Sequence, residues 1–212
     1  MKKLILLLSL LSFNANAKGF YIGLDYQSVN LNLREKSTNG ITPKLDEYYN
    51  SKYLGASPII GYEFDDISSI EVSYFTNTQE KTNNNTGLIW TSGSLSGQAV
   101  ETSSLSSIDI YNINTVHKLK ISNNFALTAL VGGSIINFNL KESYNNGYSI
   151  NEGVLGYGLN AGLGAEVSLS THIALTISGK YTKTLGLDLE KTNGTSGVDS
   201  FFTYGGGIKY YF

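Results

Sequence analysis

The chain has 212 residues with no cysteine, two prolines and 23 glycines, and its formal net charge at pH 7 is −2. The lack of cysteine excludes a disulfide framework, and the near-neutral charge makes nucleic acid and anionic lipid surfaces poor candidate partners. Only two histidines, His117 and His172, are present, so we expect neither a histidine-based metal site nor another cofactor.

The first 20 residues, MKKLILLLSLLSFNANAKGF, combine a positive start, a short apolar run and an Ala-x-Ala pattern, formed by Lys2, Lys3, Leu4–Leu11, Ala15 and Ala17. This pattern predicts a secretory signal peptide over 1–17, removed after Ala17. The alternative is a buried N-terminal helix. The apolar run is too short for a membrane anchor, which needs roughly 20 residues. We expect residues 18–212 to be exported.

Eight later segments alternate between apolar residues and polar or small residues, which predicts β-strands with one apolar face. They cover about 18–33, 52–64, 68–76, 104–121, 125–140, 151–169, 173–184 and 200–212. In the first three, Asp25, Glu63 and Glu71 lie on the face opposite the apolar one. These segments are longer than the roughly 5–6 residues usual in globular proteins.

The fourth and fifth segments have less regular faces. The turn at Ser122–Asn124 would direct six apolar residues outward, namely Ile113, Leu119, Ile121, Phe125, Leu127 and Val131. The same parity would direct Thr115 and His117 outward, which requires a position near a rim or a β-bulge. We therefore predict these two strands without assigning their faces.

The sixth and seventh segments have the clearest alternation. A three-residue turn, Ser170–His172, would set Leu169 opposite Ile173 and align both apolar faces. Glu166 then faces Thr176 and Lys180 faces Gly162, so the two charged residues are not direct cross-strand partners. The run GYGLNA matches a dinucleotide-binding pattern, but the alternation continues through it and leaves no following helix, so that interpretation is rejected.

The predicted connections alternate in length. Tight turns at 65–67, 122–124 and 170–172 alternate with long polar segments at 34–51, 77–103, 141–150 and 185–199. This arrangement is typical of transmembrane β-barrels. Aromatic residues fall near both ends of the strands and predict two interfacial girdles: Phe20, Tyr21, Tyr62, Phe64, Phe125, Tyr210 and Phe212 at the tight turns, and Tyr53, Tyr74, Phe75, Tyr111, Phe138, Tyr157, Tyr181 and Phe202 at the long connections.

The chain resembles the OmpA/OmpX-like eight-stranded outer-membrane barrels of Gram-negative bacteria. The resemblance implies an all-β, eight-stranded antiparallel up-and-down transmembrane barrel over 18–212, surrounded by outer-membrane lipid. In such families an aromatic C-terminal strand is recognised by the barrel assembly machinery, and Ile208, Tyr210 and Phe212 match that pattern. No periplasmic domain is expected after the last strand. The competing fold is a soluble lipocalin-like barrel with its apolar faces inward.

Six charged residues would line the lumen of a transmembrane barrel: Asp25, Glu63, Glu71, Glu166, Lys180 and Lys209. An eight-stranded barrel is only wide enough for its own side chains, so these charges either form a network that plugs the lumen or line a narrow polar path. The sequence leaves both possibilities open, because the pairing across the lumen depends on the stagger of the barrel.

The long connections are the remaining place for function. Tyr48 and Tyr49 in 34–51 and Trp90 in 77–103 are candidate contacts for host or environmental ligands, although Trp90 could instead fold onto the barrel rim. No Ser, His and Asp set points to a shared rim, so we expect no enzyme. The predicted function is adhesion, shielding or envelope support at the cell surface. The alternative is a small pore or a conduit for small or apolar solutes.

Overall fold

Nine antiparallel β-strands make up the described part of the chain. The computed structural model describes residues 19–34, 50–77, 80–89, 99–145, 147, 149–187 and 197–212. The strands are β1 (Phe20–Arg34), β2 (Lys52–Glu63), β3 (Ser68–Asn77), β4 (Glu80–Ile89), β5 (Ala99–Lys120), β6 (Phe125–Tyr144), β7 (Ser149–Ser168), β8 (Ile173–Leu185) and β9 (Gly197–Tyr211). Within these ranges no helix is long and apolar enough to cross a membrane.

The strands close into a barrel with eight positions around its wall. Their order is β3-β2-β1-β9-β8-β7-β6-β5, and pairing of β3 with β5 completes the ring. The short β4 continues the position of β3 along β5, since Thr76 pairs with Asp109 and Glu80 pairs with Ser106. The first and last strands pair with each other along almost their whole length, which removes both sheet edges. The predicted eight-stranded antiparallel barrel is confirmed.

Strand positions agree with the prediction, but two connections were predicted to be too long. The segment 77–103 contains β4 and the start of β5, and most of 141–150 belongs to β6 and β7. Pairing of β5 with β6 runs without a break from Lys120 opposite Ala126 to Thr102 opposite Tyr144. Backbone hydrogen bonds extend these strands beyond their apolar face, so the apolar pattern underestimates their length.

The outer surface of the barrel is apolar and the lumen contains the charged residues. Large apolar side chains are exposed on every wall strand, for example Leu24 on β1, Ile60 on β2, Val72 on β3 and Leu163 on β7. The opposite face contains buried Asp25, Glu71, Glu166, Lys180 and Lys209. A soluble barrel with inward apolar faces is therefore excluded.

The middle strands follow the parity of their turn. Ile113, Leu119, Ile121, Leu127 and Val131 are exposed, and so are Thr115 and His117. These two outward polar side chains are accommodated without a β-bulge, because each has a hydrogen-bond partner on a neighbouring strand. The Thr115 hydroxyl donates to the carbonyl of Val131 at 3.2 Å, and His117 Nδ1 lies 3.3 Å from Ser68 Oγ beside the turn at 64–67.

The girdle prediction was wrong for four aromatic residues. Tyr21, Tyr53, Phe75 and Phe138 are 0–1 % exposed and lie inside the barrel. Each is offset by an odd number of positions from an outward residue on its own strand, such as Phe20 or Leu54, and this places it inward. The girdle prediction used only the height of each aromatic residue along its strand and not the face on which the residue lies.

Candidate functional site

A charged network fills the end of the lumen near the tight turns. Lys118 Nζ donates to Glu63 at 2.6 Å, to Glu166 at 2.8 Å and to the hydroxyl of Tyr211 at 2.9 Å. The Tyr211 hydroxyl also lies 2.9 Å from Glu166 Oε2. All four residues lie close to the ends of their strands at the tight turns, so inward alternation brings them to one level. The ammonium of Lys118 thereby forms ion pairs with both carboxylates.

A second cluster lies beside the first. Lys209 pairs with Glu71 and also lies 3.8 Å from Glu166 Oε2, which joins the two clusters. The hydroxyl of Tyr21 donates to Glu71 at 2.7 Å, and its oxygen lies 3.2 Å from Ser69 Oγ. Both lysines also lie over aromatic rings, with Lys118 Nζ 4.9 Å from the ring centre of Tyr211 and Lys209 Nζ 4.8 Å from that of Tyr21. Such contacts favour a buried ammonium.

Asp25 and Lys180 lie outside these ion pairs. Asp25 accepts hydrogen bonds from Gln27 at 3.1 Å and Thr176 at 3.3 Å, and Lys180 Nζ donates to Asn112 at 2.8 Å. Neither side chain lies within ion-pair distance of an opposite charge among the described residues. The register of β7 with β8 pairs Glu166 with Thr176 and Gly162 with Lys180, which confirms the prediction from the turn.

Amides and hydroxyls form the next level of the lumen. They are Asn112, Asn114, Ser134, Asn160 and Thr182, all 0–6 % exposed. Ser134 Oγ lies 2.8 Å from both Asn112 Oδ1 and Asn160 Oδ1, and the amide of Asn160 donates to Asn114 at 2.9 Å. Lys180 contacts this level through Asn112. The polar groups therefore bond mainly to one another across four neighbouring strands.

An apolar cluster fills the lumen towards the long connections. Its members are Val29, Leu31, Tyr53, Phe75, Ile108, Ile110, Ile136, Phe138, Leu140, Leu187, Val198 and Phe201, each at most 8 % exposed. Tyr53 and Phe138 contact edge to face with ring centres 6.3 Å apart, and the Tyr53 hydroxyl donates to Ser106 at 2.9 Å. The sequence-based assignment of a polar inner face holds only for the half of the barrel near the tight turns.

The structure places the predicted residues as follows. The six predicted lumen charges all face inward, and four of them, Glu63, Glu71, Glu166 and Lys209, belong to the linked ion pairs. Ile208, Tyr210 and Phe212 face outward, with 44–54 % exposure, at the end of β9. Tyr48, Tyr49, Trp90 and the predicted signal peptide lie outside the described residues.

Sequence reasoning missed Lys118, Tyr21 and Tyr211, which supply central contacts of the network. The signal was available for Lys118, because the turn parity that directs His117 outward also directs Lys118 inward. The alternation of β1 and β9 gives the same result for Tyr21 and Tyr211.

Two adjoining cavities open at the tight-turn end, with volumes of about 220 and 300 Å³. They share Glu63, Asp66, Thr171 and Tyr211, and the smaller one reaches Lys118 and Glu166. The charged network is therefore accessible from this end. Among the described residues, no group of three or more His, Cys, Asp or Glu side chains is arranged to hold a metal ion.

No protein-family model and no curated protein matches this chain. The barrel is similar to OprG, an outer-membrane protein of Pseudomonas aeruginosa, with 12 % identity and a TM-score of 0.54 over 92 % of this chain and 96 % of that one. It is also similar to Ail, the attachment invasion locus protein of Yersinia pestis, in complex with the heparin analogue sucrose octasulfate, with 15 % identity and a TM-score of 0.51 over 92 % and 99 % of the two chains.

The outer-membrane protease OmpT of Escherichia coli matches at 10 % identity over 95 % of this chain and 99 % of that one, with a TM-score of 0.44. At these identities the matches establish the fold alone. The chain has the fold of the eight-stranded bacterial outer-membrane β-barrels, as the resemblance predicted, and its apolar outer surface fits that membrane.

Proposed function

We propose that this protein is a non-enzymatic surface barrel with a closed lumen, which acts in adhesion, shielding or envelope support. The observation that carries the proposal is the filling of the lumen. Charged pairs, an amide and hydroxyl level and an apolar cluster succeed one another along the barrel axis. The wall is thereby braced from inside, as suits a rigid support for the segments between its strands.

The apolar cluster is the main argument against the rival function of a small pore. An ion that entered from the tight-turn end would find polar partners up to Lys180 and Asn160, and then a level lined by Phe75, Ile136 and Phe138. Passage of an unpaired charge through such surroundings costs several kcal/mol. A pore would therefore require displacement of the whole cluster.

The activity is then proposed to lie in the segments 34–51 and 77–103, with Tyr48, Tyr49 and Trp90 as contacts for a host or environmental ligand. The Ail structure contains a bound heparin analogue, so this fold is compatible with recognition of an external ligand. Exposed segments on a rigid scaffold are common binding sites.

The decisive experiment is single-channel recording of refolded residues 18–212 in a planar bilayer. We expect no conductance steps from folded, inserted protein. Truncation of two aromatic members of the apolar cluster by Phe75→Ala with Phe138→Ala is expected to weaken this barrier and to produce leak currents, and the outward substitution Phe202→Ala is the matched control that should stay silent. Discrete steps in the wild type, with an ion selectivity that changes in Lys180→Gln, would instead establish the pore.

The surface activity needs its own measurement. Cells that display the barrel are compared with cells that display a variant lacking residues 35–49, with equal surface amounts verified by antibody. We expect the deletion to reduce attachment to host cells or abiotic surfaces. Unchanged attachment would show that residues 35–49 do not mediate adhesion, and would leave adhesion through 77–103, shielding or envelope support as the function.

A further inference from the structure

Two outward lysines stand at the same height on neighbouring parts of the wall. Lys52 pairs with Asn30, which lies about ten residues from Phe20 at the tight-turn end of β1. Lys183 lies about ten residues from Ile173 at the tight-turn end of β8. At about 3.3 Å per residue and a tilt of about 40°, both distances correspond to a rise of about 25 Å. That is the height of the apolar band of outer-membrane barrels. Lys52 and Lys183 are both exposed, and their height places them at the upper boundary of the apolar band.

A group of hydrogen-bond donors surrounds Lys52 on the outer face of β2, β1 and β9. Asn30 pairs with Lys52 and Ser28 pairs with Tyr204 in the strand register, and the amide of Asn30 donates to Ser28 at 3.3 Å. We name Ser28, Asn30, Lys52 and Tyr204 the rim cluster. It contains no carboxylate. Among the described residues no carboxylate lies within ion-pair distance of Lys52 or Lys183.

The wall below the rim cluster is apolar. On β1, Leu24 and Tyr26 are 53 % and 63 % exposed, and Leu54 lies beside Ser28 on β2. A molecule with acyl chains and an anionic head would place its chains against these residues and its head at the rim cluster. The stacking of apolar surface below and donors above fits a lipid better than a soluble anion.

The opposite side of the barrel differs at this height. Asp109 on β5 faces outward, accepts a 2.8 Å hydrogen bond from Tyr74, and lies beside the stacked pair Tyr74 and Tyr111, whose ring centres are 4.7 Å apart. A carboxylate there would repel an anionic head. In the part of the chain that the structure describes, the exposed lysines at this height lie on the side formed by β2, β1, β9 and β8, where the carboxylate of Asp199 is paired with Arg34 at 3.2 Å.

From this placement we propose that the rim cluster, together with Lys183, binds the phosphate headgroup of an anionic lipid in the outer leaflet. Lys52 and Lys183 are separated by three strand spacings, about 14 Å, so the two ammonium groups accommodate two phosphates. Phosphate takes up the donors of Lys52, Asn30 and Tyr204 as charge-assisted hydrogen bonds. The net charge of the whole chain argued against anionic lipid partners, but it averages this local surface with the acidic residues of the lumen and the turns.

The test uses native mass spectrometry of the refolded 18–212 chain in neutral detergent, titrated with bisphosphorylated lipid A. One lysine near an anionic membrane surface contributes about 1 kcal/mol to the binding free energy, which is roughly fivefold in affinity. We expect about a fivefold loss for Lys52→Gln or Lys183→Gln and roughly thirtyfold for the double variant. Lys52→Arg should retain binding, which shows that the substituted site still folds. Dephosphorylated lipid A should bind the wild type weakly, with an affinity similar to that of the double variant for bisphosphorylated lipid A.

The control for an unspecific loss of positive charge is Lys141→Gln, an exposed lysine on β6 that lies on another side of the wall and further from the tight turns. An equal loss in this control, or unchanged affinity in the double variant, would overturn the proposal. Millimolar inorganic phosphate should not displace the lipid, and displacement would mean a site for free phosphate instead. The outcome is independent of the conductance experiment, because the rim cluster lies on the outside of the barrel.

Discussion

The ammonium of Lys118 lies 2.8 Å from the carboxylate of Glu166 inside the lumen, although 48 positions and the whole of β6 separate the two residues in the chain. Lys118 also binds Glu63 at 2.6 Å on the far side of β3. A single side chain thus joins β2, β5 and β7 across the barrel. Its removal would leave the buried carboxylate of Glu166 and the half-buried carboxylate of Glu63 without their shared cation.

We therefore predict that Lys118→Met destabilises the barrel by about 3 kcal/mol or more, because unpaired buried charges are costly. Urea titration of the protein in lipid vesicles, followed by circular dichroism, measures the change. The control is Lys120→Met, whose ion pair with Asp66 joins side chains that are 58 % and 74 % exposed and is worth less than about 1 kcal/mol. Addition of Glu166→Gln to Lys118→Met should recover part of the loss. Equal effects at Lys118 and Lys120 would contradict the network.

Adjacent isoleucines on β6 test the apolar cluster. Ile136 is 0 % exposed inside the lumen, whereas Ile135 is 46 % exposed on the outer face. We expect Ile136→Ala to cost about 2–5 kcal/mol of unfolding free energy, because it leaves a cavity that its neighbours fill only in part. At Ile135 lipid chains fill the vacated space, so the cost should be clearly smaller in the same titration. A larger loss at Ile135 would show that the lumen is loosely filled.

Adjacent glycines on β6 test the close approach of β5 and β6. A Cβ at Gly132 would lie 2.1 Å from the carbonyl oxygen of Ile113 and 2.7 Å from Cα of Asn114, whereas a Cβ at Gly133 would meet only the carbonyl oxygen of Gly158, at 3.6 Å. We expect Gly132→Ala to lower the folded yield or to cost about 3 kcal/mol, and Gly133→Ala to be tolerated. Mobility of unheated samples in gel electrophoresis reports the folded fraction. Normal folding of Gly132→Ala would mean that the two strands can separate at this point.

Acid pH tests the turn between β2 and β3. The carboxylate of Asp65 accepts hydrogen bonds of 2.7 Å from the backbone N–H groups of Ile67 and Ser68, and these donors lower its pKa. Since the folded pKa lies below the unfolded value of about 3.9, this contribution to stability is present above about pH 4 and lost as the pH falls further. Asp65→Asn should lack this contribution at neutral pH, and its stability should fall less below pH 4 than that of the wild type. Asp66→Asn, the control, should retain the acid-dependent fall.

The local part of the fold was predictable because it depends on short-range rules. Alternation with period two marks a strand, and the length of a tight turn fixes the pairing of its two neighbours. The pairing of Leu169 with Ile173 and of Glu166 with Thr176 followed from these rules and is observed. Strand ends followed less well, since backbone pairing continues where the apolar pattern stops, as it does along β5 and β6.

The candidate site was predictable only in its composition. The inward faces of single strands indicated which charges enter the lumen, and Asp25 and Lys180 face inward as expected. The pairing of Lys209 with Glu71, and the separation of Asp25 and Lys180 from the ion pairs, did not follow from the sequence. Both depend on the stagger with which β3 meets β5 and β1 meets β9, and residues far apart in the chain set that stagger.

The sequence alone therefore determined that the chain forms antiparallel strands and, for most of them, which residues share a face, because alternation and turn length are local properties. Only the tertiary structure decided that the apolar faces point outward and which side chains fill the lumen. Inward residues of opposite walls meet there, so the apolar cluster around Phe138 and the charged network around Lys118 exist only after the barrel has closed.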